Sequence, residues 1–249
     1  MSMSKRVNVD QLITEIKSAA TAVGFTVETY GEVHGYPLLV CSRADNGSIK
    51  QPKQIYISSG IHGDEPAPPA ALLQLLQEDL LPREHGTTLC PCMNPVGLAA
   101  GTRENADGAD LNRDFTNFQT LEIRSHRNWI ESHVEHLDLA VHFHEDWEAN
   151  GFYLYELNFD AHVSRAASIL AAANNHLPIE TATRIDGHRA RNGIVRTSQT
   201  QQRPDGFPEA LYFQKQYGSL NYTLETPSTL PIEQRIAALK AGFLAAVSE

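Results

Sequence analysis

Cysteine is nearly absent from this chain, with three residues, Cys41, Cys90 and Cys92, among 249. The count is odd, and Cys90 and Cys92 stand too close in sequence for an unstrained bridge, so no disulfide framework is expected. Basic charge is also short. Lys and Arg together number 20 against 30 Asp and Glu, a formal net charge of −10. Such a chain repels a phosphate backbone or an anionic membrane on average, which argues against a nucleic-acid or membrane-surface role. No run of 18 apolar residues occurs, and the start Met1-Ser2-Met3-Ser4-Lys5-Arg6 lacks the apolar core of a secretory signal. The expectation is a cytoplasmic protein. No Gly/Ser or Pro run interrupts the chain, and one domain over residues 1–249 is expected.

What is present is an ordinary globular composition, 41% hydrophobic and 20% charged. Histidine is abundant, 11 residues against three cysteines. Several histidines stand next to Asp or Glu, which directs attention to a metal site with hard and borderline ligands.

The hydropathy pattern alternates between helical and β periods. Val9 to Ala22 has helical spacing and stops before Gly24. Leu38 to Cys41 and Gln54 to Ser58 are β-rich runs separated by Asp45-Asn46-Gly47-Ser48, and they are expected to pair. Pro66 opens a helix with Leu72, Leu73, Leu76 and Leu80 as its apolar stripe. Thr88 to Met93 is a strand with Pro91 at an end, bulge or edge, running into the turn signal Asn94-Pro95-Val96-Gly97. Asn117 to Glu135 reads as a helix with Leu121, Trp129 and Ile130 inward. Leu137 to His144 is a strong strand, with His142 and His144 on one face and Val141 and Phe143 on the other. Gly151 to Leu157, a helix over Ala161 to Asn174, a strand over Asn221 to Glu225 and a helix over Pro231 to Val247 follow. Residues 178–216 are expected as loop with one or two strands. The fold class is α/β, a mixed, mostly parallel central sheet flanked by helices.

His62-Gly63-Asp64-Glu65 places an imidazole and a carboxylate at the end of a strand, a spacing that suits one zinc ion. Open catalytic zinc sites take three protein ligands, and His₂Glu is one known set. His144, at the end of the strongest strand, is the preferred third ligand. His142 shares its face and is the other candidate, as ligand or as a group behind it; Glu145 and Asp146 are either solvated or orient an imidazole. Glu225 ends the run Tyr222-Thr223-Leu224-Glu225, where a carboxylate can act as general base toward water. Between these lies a polar loop holding Arg103, Asn112 and Arg113, and guanidinium forks suit carboxylate recognition.

The order His62-x-x-Glu65, Asn94-Pro95-x-Gly97, Arg103, Asn112-Arg113, His144 and Thr223-Leu224-Glu225 resembles the zinc carboxypeptidase family, the carboxypeptidase A-like metallopeptidases, over about residues 30–249. The resemblance implies one Zn²⁺ on His62, Glu65 and His144, with Glu225 as general base and proton donor. It implies Arg103 as stabiliser of the oxyanion, and Asn112 and Arg113 as holders of the substrate's terminal carboxylate. The family's mobile substrate-capping tyrosine has only Tyr212 and Tyr217 as counterparts. The position two before the third ligand, often Asp in bacterial relatives, is His142. Amidohydrolases resembling aspartoacylase and succinylglutamate desuccinylase share several of these motifs but carry a β domain after the catalytic Glu. Only 24 residues follow Glu225, which favours the carboxypeptidase branch, including small bacterial members that trim cell-wall peptides. The expected partner is a small peptide or acyl-amino-acid substrate. A zinc-dependent binding protein without catalysis is the remaining reading. One of Arg184, Arg189, Arg191, Arg196 and Arg203 could line the pocket and prefer an acidic side chain.

Overall fold

Asn8 accepts the Gln11 N–H through its side chain and so starts helix α1 (Val9–Ala22), whose Leu12, Ile13 and Ile16 fall on one buried face. This computed structural model describes residues 7–197 and 206–248, so Arg203 lies outside the described residues. The chain continues through β1 (Thr26–Val33), β2 (Tyr36–Arg43), β3 (Gln54–Ser58), α2 (Ala67–Gln77), β4 (Gly86–Cys90), α3 (Pro95–Ala100) and a 3₁₀ turn at Leu111–Arg113. Then come α4 (Leu121–His133), β5 (Leu139–Asp146), β6 (Tyr153–Leu157), α5 (Ala166–Ala173), β7 (Arg184–Ile185), β8 (His188–Arg191), β9 (Ile194–Arg196), α6 (Glu209–Tyr217), β10 (Leu220–Pro227) and α7 (Ile232–Val247).

The strands form one mixed sheet of ten in the order β1-β2-β4-β3-β5-β10-β6-β9-β8-β7. Its centre, β4-β3-β5-β10, is parallel, while both flanks contain antiparallel pairs. Every residue of β5 but the last is buried, as both faces of a central parallel strand are covered. Val141 and Phe143 pack with α1, α2, α5 and α7 on one side. Ala140 and Tyr56 pack with residues of α4 and α6 on the other. His142 and His144 share that second face through the two-residue period of the strand. All three cysteines are free thiols.

Several expectations need correction. The β2 and β3 runs do not pair, because β4 lies between them, antiparallel to β2 and parallel to β3. The turn signal at Asn94 starts helix α3, with Asn94 Oδ1 accepting the Gly97 N–H at 2.9 Å. Leu121 is 44% exposed, since it is the first residue of α4. The helix expected from Ala161 starts only at Ala166. Among the described residues of 178–216 are three short strands, β7, β8 and β9, and most of the helix α6. Pro208 precedes that helix and Gly218 ends it in the left-handed conformation at φ +66°, both ordinary helix boundary signals.

Candidate metal centre

His62 lies four residues past the end of β3, in a loop pressed against α3. A Cβ on Gly63 would stand 2.0 Å from the Gly97 carbonyl carbon, so the residue after His62 has to be glycine. Asn94 Nδ2 donates to the Arg103 carbonyl at 3.3 Å, and Gly63 N–H donates to that same carbonyl at 3.4 Å. The Asn-Pro-x-Gly segment thus holds the His62 and Arg103 loops together.

His62, Glu65 and His144 meet in one buried group, each at most 4% exposed. His62 Nδ1 is 2.5 Å from Glu65 Oε1, and His144 Nδ1 is 3.1 Å from Glu65 Oε2. Burial alone would press the His62 imidazole down, but Glu65 and Asp110 beside it hold it up at about 9. Burial would likewise raise Glu65, and the two imidazoles hold it down at about 2. His144 is lowered by burial, which Glu65 offsets only in part. His62 Nε2 and Glu65 Oε2 are buried without a hydrogen bond, and one ligand atom from each of the three residues lies within 4.8 Å of the others. Two imidazoles, a carboxylate and orphaned buried polar atoms at one point fit a single divalent cation, and the N/O donor set suits zinc.

The three residues line a cavity of about 680 Å³ together with Arg103, Asn112, Arg113 and Glu225. Glu225, on β10, stands in register beside His144 of β5. Burial, with Glu65 and Asp146 nearby, pushes its carboxyl well above the usual carboxylate range. Arg103 is fixed by Asp110, which accepts from its Nε at 3.1 Å and Nη2 at 3.0 Å. Its Nη1 faces His62 at 3.3 Å. Asn112 Oδ1 accepts the Glu209 N–H at 2.8 Å, which leaves its Nδ2 as a donor.

Other expected residues stand elsewhere. Tyr212 packs against Phe115, Phe118 and Phe213 and donates to Glu131 at 3.2 Å, because α6 turns it toward α4. Tyr217 stacks on Phe213. The tyrosines that line the cavity are Tyr153 and Tyr155. His142 lies outside the three-residue group and bonds to Ser58, Glu209 and Asn221. Glu145 is buried against Arg235 of α7 and the Ala67 N–H. Burial raises it to about 7, though Arg235 opposes the rise. Asp146 accepts the Tyr153 hydroxyl at 3.0 Å, so neither acid orients an imidazole. Arg184, Arg189, Arg191 and Arg196 are absent from the described lining, to which their stretch supplies Asp186, His188 and Thr197. Asp110 was within reach of sequence reasoning, in the same polar loop as Arg103. Glu209 was not, since its stretch read as loop.

Residues 51–248 match the family described as the succinylglutamate desuccinylase/aspartoacylase catalytic domain. A protein of Shewanella amazonensis SB2B, provisionally called a metallopeptidase, has a similar structure at 21% identity and TM-score 0.82, over 96% of this chain and 92% of its own. A metallo-carboxypeptidase from Burkholderia cenocepacia is similar at 18% identity and TM-score 0.69, over 96% of this chain and 67% of its own. The metallo-carboxypeptidase from Pseudomonas aeruginosa in complex with (2-guanidinoethylmercapto)succinic acid is similar at 15% identity and TM-score 0.68, over 94% and 66%. Carboxypeptidase SOL1 of Arabidopsis thaliana is 32% identical over 96 residues, which span 33% of this chain but only 19% of that protein. Among the described residues no helix is long and apolar enough to cross a membrane. With the family match running from before β3 through α7, the chain belongs to the succinylglutamate desuccinylase/aspartoacylase catalytic-domain family, and its fold is that of the metallo-carboxypeptidases.

Proposed function

We propose that this protein is a zinc-dependent hydrolase of an amide bond next to a free carboxylate in a small substrate, in the manner of a metallocarboxypeptidase acting on a short peptide. The observation that carries the reading is one cavity lined by the His62, Glu65 and His144 group, by Glu225 and by the Arg103, Asn112 and Arg113 donors. His62, Glu65 and His144 would hold the ion. When bound, zinc would supply a Lewis acid for the carbonyl oxygen and ease loss of a proton from water.

The remaining steps belong to side chains of this chain. Glu225 takes the proton of the attacking water and returns it to the leaving amine, a task suited to a buried carboxyl whose proton affinity is raised. Arg103, held in place by Asp110, points Nη1 into the centre and stabilises negative charge on the former carbonyl oxygen. The Asn112 amide and the Arg113 guanidinium hold the free carboxylate and so set which amide meets Glu225. The succinic acid derivative bound by the Pseudomonas aeruginosa relative is a carboxylate ligand on the same fold.

A second reading, removal of an acyl group from an N-acyl amino acid, is favoured by the family match itself. Both readings share the ion, the base and the carboxylate anchor. They separate on a panel of C-terminally free peptides, a γ-glutamyl-diaminopimelate peptide, N-acetylaspartate and N-succinylglutamate. Wild type is expected to hold one zinc ion per chain and to cleave at least one of these. Glu225→Gln should keep the zinc and lose turnover by about 10³-fold or more. Equal rates in the two proteins would sink the mechanism.

A further inference from the structure

Behind the metal ligands, on the same face of the sheet, lies a second set of buried polar groups that the mechanism leaves unused. At its centre is the Glu209 carboxylate, 1% exposed. Its Oε1 accepts the Tyr56 hydroxyl at 2.7 Å, and its Oε2 accepts the Ser58 hydroxyl at 2.6 Å and faces His142 Nδ1 at 2.9 Å. Asn221 gives its Nδ2 to Ser219, so its Oδ1 faces His142 Nε2 at 3.2 Å. Both ring nitrogens of His142 therefore meet acceptors. Tyr56 spends its proton on Glu209, so it accepts from His126 Nε2 at 2.8 Å.

These contacts reach the site from three sides. Ser58 and His142 are direct neighbours in the sheet, four residues before His62 and two before His144. Asn221 stands four before Glu225 on β10. The backbone N–H of Glu209 is the group that fixes the Asn112 amide. We propose that Glu209 is a positioning residue for the carboxylate end of the substrate: its backbone holds Asn112, and its side chain ties that anchor to the strands that lead into His62 and carry His144. The separation between anchor and hydrolytic centre is then set through one buried carboxylate. The inference rests on the carboxylate-anchor reading of Asn112 given above.

The test compares zinc-loaded wild type with Glu209→Gln on the substrate the wild type cleaves, and on the same compound with its carboxylate blocked as an amide. The expected result is a KM about 10-fold higher for the free carboxylate, kcat within about three-fold, one zinc per chain, and no change in KM for the blocked compound. An unchanged KM, an equal rise on both compounds, or a fall in kcat alone would overturn it. If Glu209→Gln does not fold, Ser58→Ala and Tyr56→Phe, each removing one donor to Glu209, carry the same comparison with smaller shifts of the same kind. Calorimetry with succinate reads the anchor without hydrolysis. A wild type that binds succinate but cleaves nothing overturns the hydrolase reading alone, and Glu209 is then judged by an expected roughly 10-fold weaker succinate binding in the variant. A wild type that does neither overturns both.

Discussion

A single methyl group on Gly63 would collide with the backbone of α3 at Gly97 and Leu98, and the side chain it would displace first is the adjacent His62. Gly63→Ala is expected to cost about 3 kcal/mol, the upper range for overpacking a tight site, and to lower zinc stoichiometry, read by metal analysis of the purified variant. At this scale much of the centre was legible in the sequence. His62 and Glu65 follow β3, and His144 and Glu225 lie near the carboxyl ends of β5 and β10, where open α/β sheets gather ligands, and the strands were visible from their apolar periods. Tyr212 was not placed correctly, because its neighbours Phe115 and Phe118 come from a loop about a hundred residues away. Glu209 escaped notice for the same reason. Its partners Tyr56, Ser58, His126 and His142 belong to three other elements, and nothing local marks a carboxylate that will be fully buried.

Among the elements, α7 is locked to the central strand by Arg235, which pairs with Glu145 in the interior. Arg235→Ala would leave a buried carboxyl without its partner, and about 3 kcal/mol or more of stability should be lost, measured by urea unfolding. Helix α6 ends on Gly218, and Gly218→Ala should cost about 1 kcal/mol by the same measurement, because a side chain is strained at a positive φ. The long, strongly periodic elements α1, α2, β5 and α7 could be read from the chain with small shifts at their ends. What could not be read was adjacency. Leu38 to Cys41 and Gln54 to Ser58 look like neighbours because a turn separates them, yet β4 enters between them through the parallel crossover via α2. Such a crossover is decided by the packing of a helix on the sheet rather than by turn chemistry.

For the molecule as a whole, stability should depend on acid in a defined window. Burial lowers His126 from 6.5 to about 4, with Glu209 opposing, so the unfolded chain takes up a proton before the folded one does. The His126 contribution is therefore full above pH 6.5 and is lost as the pH drops toward 4, by up to about 3 kcal/mol. Glu209, held near 2 against an ordinary 4.5, chiefly by His142 once burial is overcome, adds a further loss below pH 4.5. His126→Gln should flatten the upper window in denaturant titrations at pH 7, 6 and 5, and an unchanged slope would count against the assignment. A bound ion should act on the same equilibrium. Stripping zinc with a chelator is expected to lower Tm, and zinc at about 100 times its dissociation constant should restore close to 3 kcal/mol.

The place of β10 has a kinetic consequence. It slots between β5 and β6, parallel to one and antiparallel to the other, although it follows both in the chain by more than 60 residues. Pairings of such long sequence separation form slowly. While β10 is still out, the metal ligands on the β3 and β5 side can already meet, but Glu225 is missing from the cavity. In a refolding experiment zinc capture should precede recovery of hydrolysis, and the lag between them would measure the insertion of one strand. On the proposed function, a chain caught in that interval would hold its metal and be inert, so the order of assembly would delay hydrolysis until the sheet is closed.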